Sequence, residues 1–237
     1  MNLILFKQEE LEVPLVRSDP RAVHILEVLR MDSGQTFDVG LINGPRGKAS
    51  WKSADKGPLQ LSFEWETEVP SLLSIDLWVS FCRPQTCRRI LQECASLGVN
   101  SINFFDTEKC EPSYRKSKLW TTGEAERLLI RGAEQAFCTQ IPQLRFGDEL
   151  ADTIEDNKPA GTCLALDNYE SKKPLGAIEL LNEPITLAVG GERGWSKLER
   201  DLLRKNGFTL VDLGSRVLRT ETACISGIAI ISSQAKL

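Results

Sequence analysis

Two segments contain the residue types that could hold a charged ligand. The first, V-G-G-E-R-G-W-S-K-L-E at 189–199, runs from an apolar stretch into three glycines. Glycines at a strand-to-helix turn let the backbone approach a ligand closely. Ser196 and Glu199 have capping-box spacing, which predicts that Ser196 caps a helix. The segment lacks both G-x-G-x-x-G and G-K-[ST], so a tight turn without a ligand stays an open alternative.

The second segment is L-G-S-R-V-L-R-T-E-T-A at 213–223, which places Arg216 and Arg219 just before an apolar stretch that reads as a C-terminal helix ending near Gln234. Arginines at a helix N-terminus gain nothing from the helix dipole. They therefore indicate an anionic partner, with a salt-bridged loop as the alternative.

Composition narrows the class of protein. The 237 residues are 41% hydrophobic and 26% charged, which is typical of a soluble globular chain, and no apolar run is long enough to span a membrane. The seven cysteines are irregularly spaced, without C-x-x-C, which favours reduced thiols in a cytoplasmic protein over a disulfide framework or a zinc site. His24 is the only histidine, so neither a histidine metal centre nor a Ser-His-Asp triad is expected.

The net charge of −4 argues mildly against nucleic-acid binding, so local clusters of positive charge matter more. Three such clusters are present, and each is also compatible with a solvated surface. They are Arg83 with Arg88 and Arg89, Arg115 with Lys116 and Lys118, and Arg200 with Arg204 and Lys205.

The pattern of apolar residues predicts two domains. In residues 1–68, short strands surround a turn at Asn43–Gly47 and one helix that opens at Asp19-Pro20, which indicates a small β-rich domain, a barrel by expectation. Beyond a break near 66–73, five apolar strands at 75–81, 101–106, 162–168, 185–190 and 208–214 alternate with helices at Thr86–Leu97, Gly123–Cys138 and Lys197–Asn206. This alternation predicts an α/β domain with a mostly parallel sheet.

The chain resembles the RsmE family of 16S ribosomal RNA methyltransferases. Residues 213–223 are similar to the family signature L-G-x-R-I-L-R-x-E-T-A, and V-G-G-E-R-G-W-S is similar to the loop G-P-E-G-G-[FW]-S. Gly191 stands where the family has proline, and Arg193 stands where it has glycine. Further similar segments occur in the family's order at His24–Met31, 90–99 and 132–144, although an arginine that often follows E-Q is missing here.

The resemblance implies a PUA-like β-barrel at 1–68 that binds RNA and a SPOUT methyltransferase domain at 73–237 with a parallel sheet and a deep trefoil knot. It also implies a cytoplasmic homodimer that neither associates with a membrane nor binds a metal. The enzyme would use S-adenosyl-L-methionine to methylate N3 of a uridine in the 16S rRNA of the small ribosomal subunit.

The resemblance also implies site residues, in three loops that follow strands. For the cofactor these are Leu166, Asp167, Val189, Gly190, Gly191, Glu192, Gly194, Leu213, Gly214, Leu218, Arg219 and Thr220. The candidates for RNA contacts are Arg21, His24, Arg30, Arg83, Arg88 and Arg89.

Transfer of a methyl group to N3 needs a cation beside the uracil, because negative charge spreads toward O2 and O4 as the proton leaves. Arg219 is the first candidate for this cation and Arg216 the second. Glu221 or Glu192 could accept the proton or orient an arginine, and Asp167 could orient the cofactor or the substrate.

Three alternatives remain open at this stage. The chain could be a SPOUT methyltransferase with another RNA target, because Gly191 and Arg193 alter the cofactor loop. It could be a non-catalytic RNA-binding relative in which Arg193 blocks the pocket. An α/β nucleotide-binding enzyme of another kind is the third, but it lacks its phosphate-loop motifs.

Overall fold

The computed structural model describes residues 3–54, 56–159, 161–180 and 184–234. The chain forms two compact units. The first consists of Met1–Ser71 and Ala133–Ile141, and the second consists of Leu72–Gly132 and Pro142–Leu237. The short segment 133–141, which the boundaries expected from sequence assign to the second domain, thus belongs to the first unit.

The first unit contains a four-stranded sheet in the order β1-β2-β3-β4. Its strands are β1 (Ile4–Phe6), β2 (Thr36–Leu41), β3 (Arg46–Lys52) and β4 (Gln60–Trp65). The pair β1–β2 is parallel, whereas β2–β3 and β3–β4 are antiparallel. The strand order is open at both ends, so the expected closed barrel stays a prediction.

A short helix lies beside this sheet and supplies part of the core. Helix α1 (Pro20–Val23) begins at Asp19, whose side chain accepts the backbone N–H of Arg21, and it continues as a wider helical turn over His24–Val28. Ile25 on that turn is fully buried in one cluster with Phe6 and Val39. The helix expected from Pro20 onward is therefore present, with a change of helical pitch in the middle.

The second unit is built on seven strands that all pair in parallel, in the order β7-β6-β5-β10-β8-β11-β9. The strands are β5 (Leu73–Ser80), β6 (Val99–Asp106), β7 (Gln143–Glu149), β8 (Thr162–Leu166), β9 (Lys173–Pro174), β10 (Ile185–Val189) and β11 (Thr209–Asp212). The helices are α2 (Pro84–Ser96), α3 (Glu124–Gln135), α4 (Leu150–Asn157), α5 (Lys197–Lys205) and α6 (Thr220–Gln234). The last three residues of α3 belong to the first unit. The predicted α/β class with a parallel sheet is confirmed, and the knot stays a prediction.

Burial explains why these segments form the centre of the sheet. A parallel strand covered on both faces is apolar throughout, and every residue of β10 is buried. The amphipathic helix α2 buries one face, which includes Cys87, Ile90 and Leu91. No helix within the described residues is both long and apolar enough to cross a membrane.

The strand order determines where the loops lie. Strand β8 pairs with β10 on one side and with β11 on the other, all in parallel. The loops that follow these three strands start at Asp167, Gly190 and Leu213, so they leave the same edge of the sheet side by side. Ligands of open parallel sheets bind at this carboxyl edge.

Candidate active site

The three neighbouring loops enclose a pocket in the second unit. Its walls are the end of β8, the glycine loop at 190–195, and the loop that leads into α6. The lining residues are Leu166, Asp167, Asn168, Tyr169, Val189, Gly190, Gly191, Glu192, Arg193, Gly194, Trp195, Leu213, Val217, Leu218, Thr220 and Ala223. The lining thus combines apolar side chains with exposed backbone, which suits a ligand with a flat apolar part and polar edges.

The glycine loop can turn tightly because Gly190 and Gly194 carry no side chains. A Cβ atom added at Gly190 would lie 3.2 Å from the carbonyl carbon of Gly194 and 3.3 Å from the ring of Trp195. Gly194 has φ +60°, and its N–H donates to the carbonyl of Gly191 at 2.9 Å. A residue with a side chain in the position of Gly190 would crowd the turn, and one in the position of Gly194 would be strained.

Buried contacts hold both ends of this loop in place. The fully buried Trp195 donates its indole N–H to the carbonyl of Leu166 at 2.8 Å, which links the glycine loop to the end of β8. Ser196 Oγ accepts the N–H of Glu199 at 3.2 Å, and Glu199 Oε2 accepts the N–H of Ser196 at 2.6 Å. The predicted capping box at the start of α5 is thereby confirmed.

Asp167 shapes the first loop from inside. Its Oδ1 accepts the backbone N–H groups of Tyr169 at 2.9 Å and Glu170 at 2.5 Å, and its Oδ2 accepts Nε of Arg200 at 2.7 Å. Asp167 and Arg200 are both buried, so this ion pair is shielded from water. Both carboxylate oxygens thus accept hydrogen bonds within the protein. Asp167 therefore stabilises the conformation of the loop that follows β8.

A second pocket adjoins the first and is rich in arginine. Its lining consists of Arg83, Gln85, Thr86, Arg89, Gly191, Glu192, Val217, Leu218, Arg219, Thr220 and Glu221. Five of these residues, Gly191, Glu192, Val217, Leu218 and Thr220, line both pockets. The two cavities therefore share a wall, and a group held in one can reach a group held in the other.

The structure separates the two arginines that were candidates for catalysis. Arg219 and Arg216 are both exposed, but among the described residues that line the two pockets Arg219 is present and Arg216 is absent. Within the described part of the chain, the guanidinium of Arg219 forms no ion pair. It is therefore available to a ligand of the second pocket.

The two candidate carboxylates have different surroundings. Glu221 is 8% exposed, and its Oε1 accepts a hydrogen bond from Nη1 of Arg89 at 3.2 Å. This contact favours a role in orienting Arg89. Glu192 is exposed and accepts the backbone N–H of Arg83 through Oε1 at 2.8 Å. Glu192 lines both pockets and thereby connects the glycine loop to the start of α2.

The six predicted RNA contacts are not gathered in one place. Arg83 and Arg89 line the second pocket, whereas Arg88 forms a two-contact ion pair with Glu124 at 2.6 and 3.1 Å. In the first unit, Arg21 is bound to Glu10 and Asp19 at 2.9 Å each, which favours a structural role. His24 is half-buried and Arg30 is exposed, and no contact in the structure distinguishes an RNA role for either.

Sequence reasoning predicted most of the first pocket but not all of it. Gly214 and Arg219 were expected to contact the cofactor but do not line this pocket, and Tyr169, Trp195 and Val217 line it without having been predicted. The side chains of Tyr169 and Val217 are 78% and 83% exposed. Tyr169 lies two residues after Asp167, and Val217 lies two residues before Arg219. This closeness in the sequence was the only signal that could have identified them.

Comparison with known proteins agrees with this architecture. The model of the RNA methyltransferase domain family matches residues 69–232. Ribosomal RNA small subunit methyltransferase E of Treponema pallidum is 36% identical, over 99% of this chain and 92% of that protein. Ribosomal RNA small subunit methyltransferase E 1 of Borreliella burgdorferi is 28% identical, over 99% of this chain and 98% of that protein.

Solved structures give the same result. A methyltransferase of Legionella pneumophila with the cofactor SAM bound superposes with a TM-score of 0.80 at 26% identity, covering 99% of this chain and 98% of that one. Ribosomal RNA small subunit methyltransferase E of Neisseria gonorrhoeae, bound to S-adenosyl methionine, shares the fold with a TM-score of 0.80 at 24% identity and the same coverage. With a family model over most of its length and a full-length relative at 36% identity, this chain belongs to the RsmE family of ribosomal RNA methyltransferases.

Proposed function

We propose that this protein uses S-adenosyl-L-methionine to methylate N3 of a specific uridine in the 16S rRNA of the small ribosomal subunit. The observation that carries the proposal is the pair of adjoining pockets. One is walled by glycine backbone and apolar side chains, the other is lined by arginines, and they share five residues. The relatives named above are methyltransferases of small-subunit rRNA, and this supports the same class of substrate here.

The first pocket suits the proposed cofactor. Gly190 itself carries no side chain, and a Cβ atom there would crowd Gly194 and Trp195. Apolar side chains such as Leu166 and Val189 can pack against an adenine ring, and backbone groups of the loops starting at Gly190 and Leu213 can bond its polar edges. Arg193 lines a pocket that is open, which argues against the proposal that this residue blocks it. S-adenosyl-L-methionine supplies an activated methyl group on a sulfonium sulfur.

The second pocket suits the target base. Arg219 offers a cation with no ion-pair partner among the described residues, and we assign it to the negative charge that develops on the uracil carbonyl oxygens as the N3 proton leaves. A uridine must leave its stack to enter the pocket, which costs a few kcal/mol. We assign Arg83 and Arg89, which line this pocket, to the flanking phosphates.

Glu192 is our candidate for the proton acceptor. It lines both pockets, its Oε1 is held by the N–H of Arg83, and its Oε2 has no partner within the described residues. Methyl transfer to N3 would break the bond between the methyl carbon and sulfur, with its electron pair staying on sulfur, and the N3 proton would pass to Oε2 of Glu192. Glu221, already paired with Arg89, serves to position that arginine.

Further parts of the proposal follow from family membership. We propose that the unit containing the seven-stranded sheet is a SPOUT domain with a trefoil knot. We propose in addition that the first unit is a PUA-like domain that binds RNA, and that the enzyme works as a homodimer in the cytoplasm. A SPOUT methyltransferase with another RNA target is the second candidate function, favoured by Gly191 and Arg193 in the glycine loop.

The test is to incubate the protein with methyl-labelled S-adenosyl-L-methionine and small ribosomal subunits that lack their native methyl groups, then digest the RNA and identify the labelled nucleoside. We expect N3-methyluridine at one site. Label in another nucleoside would support the second candidate. Cofactor binding without label in any RNA would contradict catalysis, and the absence of saturable cofactor binding would favour a non-catalytic RNA-binding relative.

A further inference from the structure

Helices α2 and α3 present a group of arginines that the proposed chemistry does not use. Arg127 and Arg131 lie three and seven residues after Glu124 on α3, so all three share one face of that helix. Arg88 reaches the same face from α2 through its ion pair with Glu124. The face thus combines three arginines with Glu124, and of the three only Arg88 forms an ion pair with it among the described residues.

The electrostatics of Glu124 agree with this geometry. The pKa of Glu124 is below its ordinary value, chiefly because Arg88 donates hydrogen bonds to the carboxylate, with further contributions from Arg127 and Arg131. One carboxylate neutralises one guanidinium, so the face retains an excess positive charge of about two. Arg127 and Arg131 are exposed, and Arg131 has no ion-pair partner within the described residues.

The two helices are held close together, which fixes the arginine positions. A Cβ atom added at Gly132 of α3 would lie 2.3 Å from the carbonyl oxygen of Gln92 on α2. At the other end of α3, Arg127 donates to the carbonyl of Thr122 at 3.2 Å, and the hydroxyl of Thr122 donates to the carbonyl of Lys118 at 2.9 Å. Lys118 is exposed and extends the positive charge beyond the helix.

This basic face, defined here as Lys118, Arg88, Arg127 and Arg131, continues from the second pocket. Arg88 follows Gln85 by one helical turn and precedes Arg89, and both of these neighbours line the pocket. A polyanion that leaves the pocket along α2 therefore meets Arg88 and then the arginines of α3.

We propose that the basic face binds the phosphates of the rRNA segment that flanks the extruded uridine. The partner is RNA because the face offers the exposed guanidinium groups of Arg127 and Arg131 and, through the half-buried Arg88, adjoins the proposed base pocket. Guanidinium is the side-chain group best suited to phosphate. The inference rests on the proposed function and adds to it the path of the RNA across the second unit.

The test uses the full-length chain with Arg127→Ala and Arg131→Ala combined, and unmethylated small ribosomal subunits as the probe. Affinity is measured between about 50 and 200 mM salt. Each lost phosphate contact lowers the slope of log affinity against log salt by about one, so we expect a decrease of about two. The affinity for S-adenosyl-L-methionine should be unchanged, because neither residue lines the first pocket.

Two controls accompany the double variant. Arg127→Lys with Arg131→Lys keeps both charges and should keep the slope close to that of the wild type. Lys172→Ala with Lys173→Ala removes two exposed charges at the edge strand β9, one just before it and one in it, and should leave the slope unchanged.

An unchanged slope in the double alanine variant would overturn the inference. It would instead favour an acidic protein as the partner of the basic face. An equal decrease in the Lys172 and Lys173 control would overturn it as well, because the effect would then reflect net charge alone. If the wild-type protein binds the subunit but transfers no methyl group, the proposed function fails while the basic face remains testable.

Discussion

The guanidinium of Arg219 is exposed at the start of α6 and lines the second pocket, whereas Arg216 lies three residues earlier and lines neither pocket. If Arg219 stabilises the charge on the uracil, Arg219→Ala should lower the rate of methyl transfer by about 100-fold or more. Single-turnover rates at saturating RNA and cofactor measure this effect. Arg216→Ala is the matched control, with a change of less than about tenfold expected. Equal rates for Arg219→Ala and the wild type would remove Arg219 from the mechanism.

A network of charged side chains makes the first unit sensitive to acid. Burial raises the pKa of Glu10 and Asp19, but the hydrogen bonds and charge of Arg21, together with backbone N–H donors, outweigh burial, and both pKa values lie below the ordinary 4.5 and 3.8. A carboxyl group with a lowered pKa stabilises the fold above its ordinary pKa, and this contribution is lost as the pH falls through the folded-state value.

Arg21→Ala should therefore destabilise the first unit at pH 7 but have little effect once both carboxyl groups are protonated, well below pH 3.8. Hydrogen exchange of the amides in β1 to β4, measured at several pH values, reports this difference. Lys48→Ala removes the more exposed pair with Asp38 and should have a smaller effect at every pH. A difference between Arg21→Ala and the wild type that did not depend on pH would contradict the assignment.

At the scale of the elements, the contact between α2 and α3 depends on a missing side chain. Alanine is ordinarily a better helix former than glycine by about 1 kcal/mol. At Gly132, however, the added Cβ would lie 2.3 Å from the carbonyl oxygen of Gln92 and 2.8 Å from Cβ of Ala95. We expect Gly132→Ala to destabilise the protein by about 1–3 kcal/mol in denaturant unfolding, as overpacking does.

Gly176→Ala is the control for Gly132→Ala. Apart from its chain neighbours, no atom of the described residues lies within 4 Å of a Cβ added at Gly176, so a change of less than about 0.5 kcal/mol is expected. A stabilised Gly132→Ala variant would mean that α2 and α3 can separate at little cost, and the fixed geometry of the basic face would then be in doubt.

The elements that were predictable from sequence are those with a strong apolar pattern. The strands β5, β6, β8, β10 and β11 are rich in buried apolar residues because a parallel sheet buries both faces. Strand β7 was missed because most of its residues are exposed at the sheet edge. Strand β3, which overlaps the predicted turn at Asn43–Gly47, gives only a weak hydrophobic signal because two of its three inward positions are Gly47 and Ala49.

The same reasoning applies to the candidate site. Glycine and arginine loops after strands stand out in a sequence, and Gly190, Gly194 and the residues around Leu218 line the pockets, while their contacts with the cofactor stay a prediction. The contacts of Asp167 were not predictable, because its partner Arg200 lies 33 residues away and had been grouped with surface charges. Partners that are far apart in the sequence meet only through the fold.

At the scale of the whole molecule, ligand binding should be confined to a defined part of the chain. At a concentration of cofactor 100 times its dissociation constant, a ligand stabilises the protein by about 2.7 kcal/mol. We expect S-adenosyl-L-methionine to slow amide exchange at 166–170, 190–195 and 213–220, the three loops of the first pocket. Exchange in β1 to β4 serves as the internal reference. Protection limited to the first unit would contradict the proposed location of the cofactor.

The division of the chain also has a consequence for its synthesis. The segment 133–141 belongs to the first unit. There, Glu134 accepts the N–H of Leu5, and the carbonyl of Thr139 accepts the N–H of Asn43. When residues 1–71 have just emerged from the ribosome, the segment 133–141, which the first unit also contains, has therefore not yet emerged. The first unit can complete its fold only after β5 and β6 of the seven-stranded sheet have left the exit tunnel. Folding of the N-terminal residues therefore depends on a segment that is synthesised later.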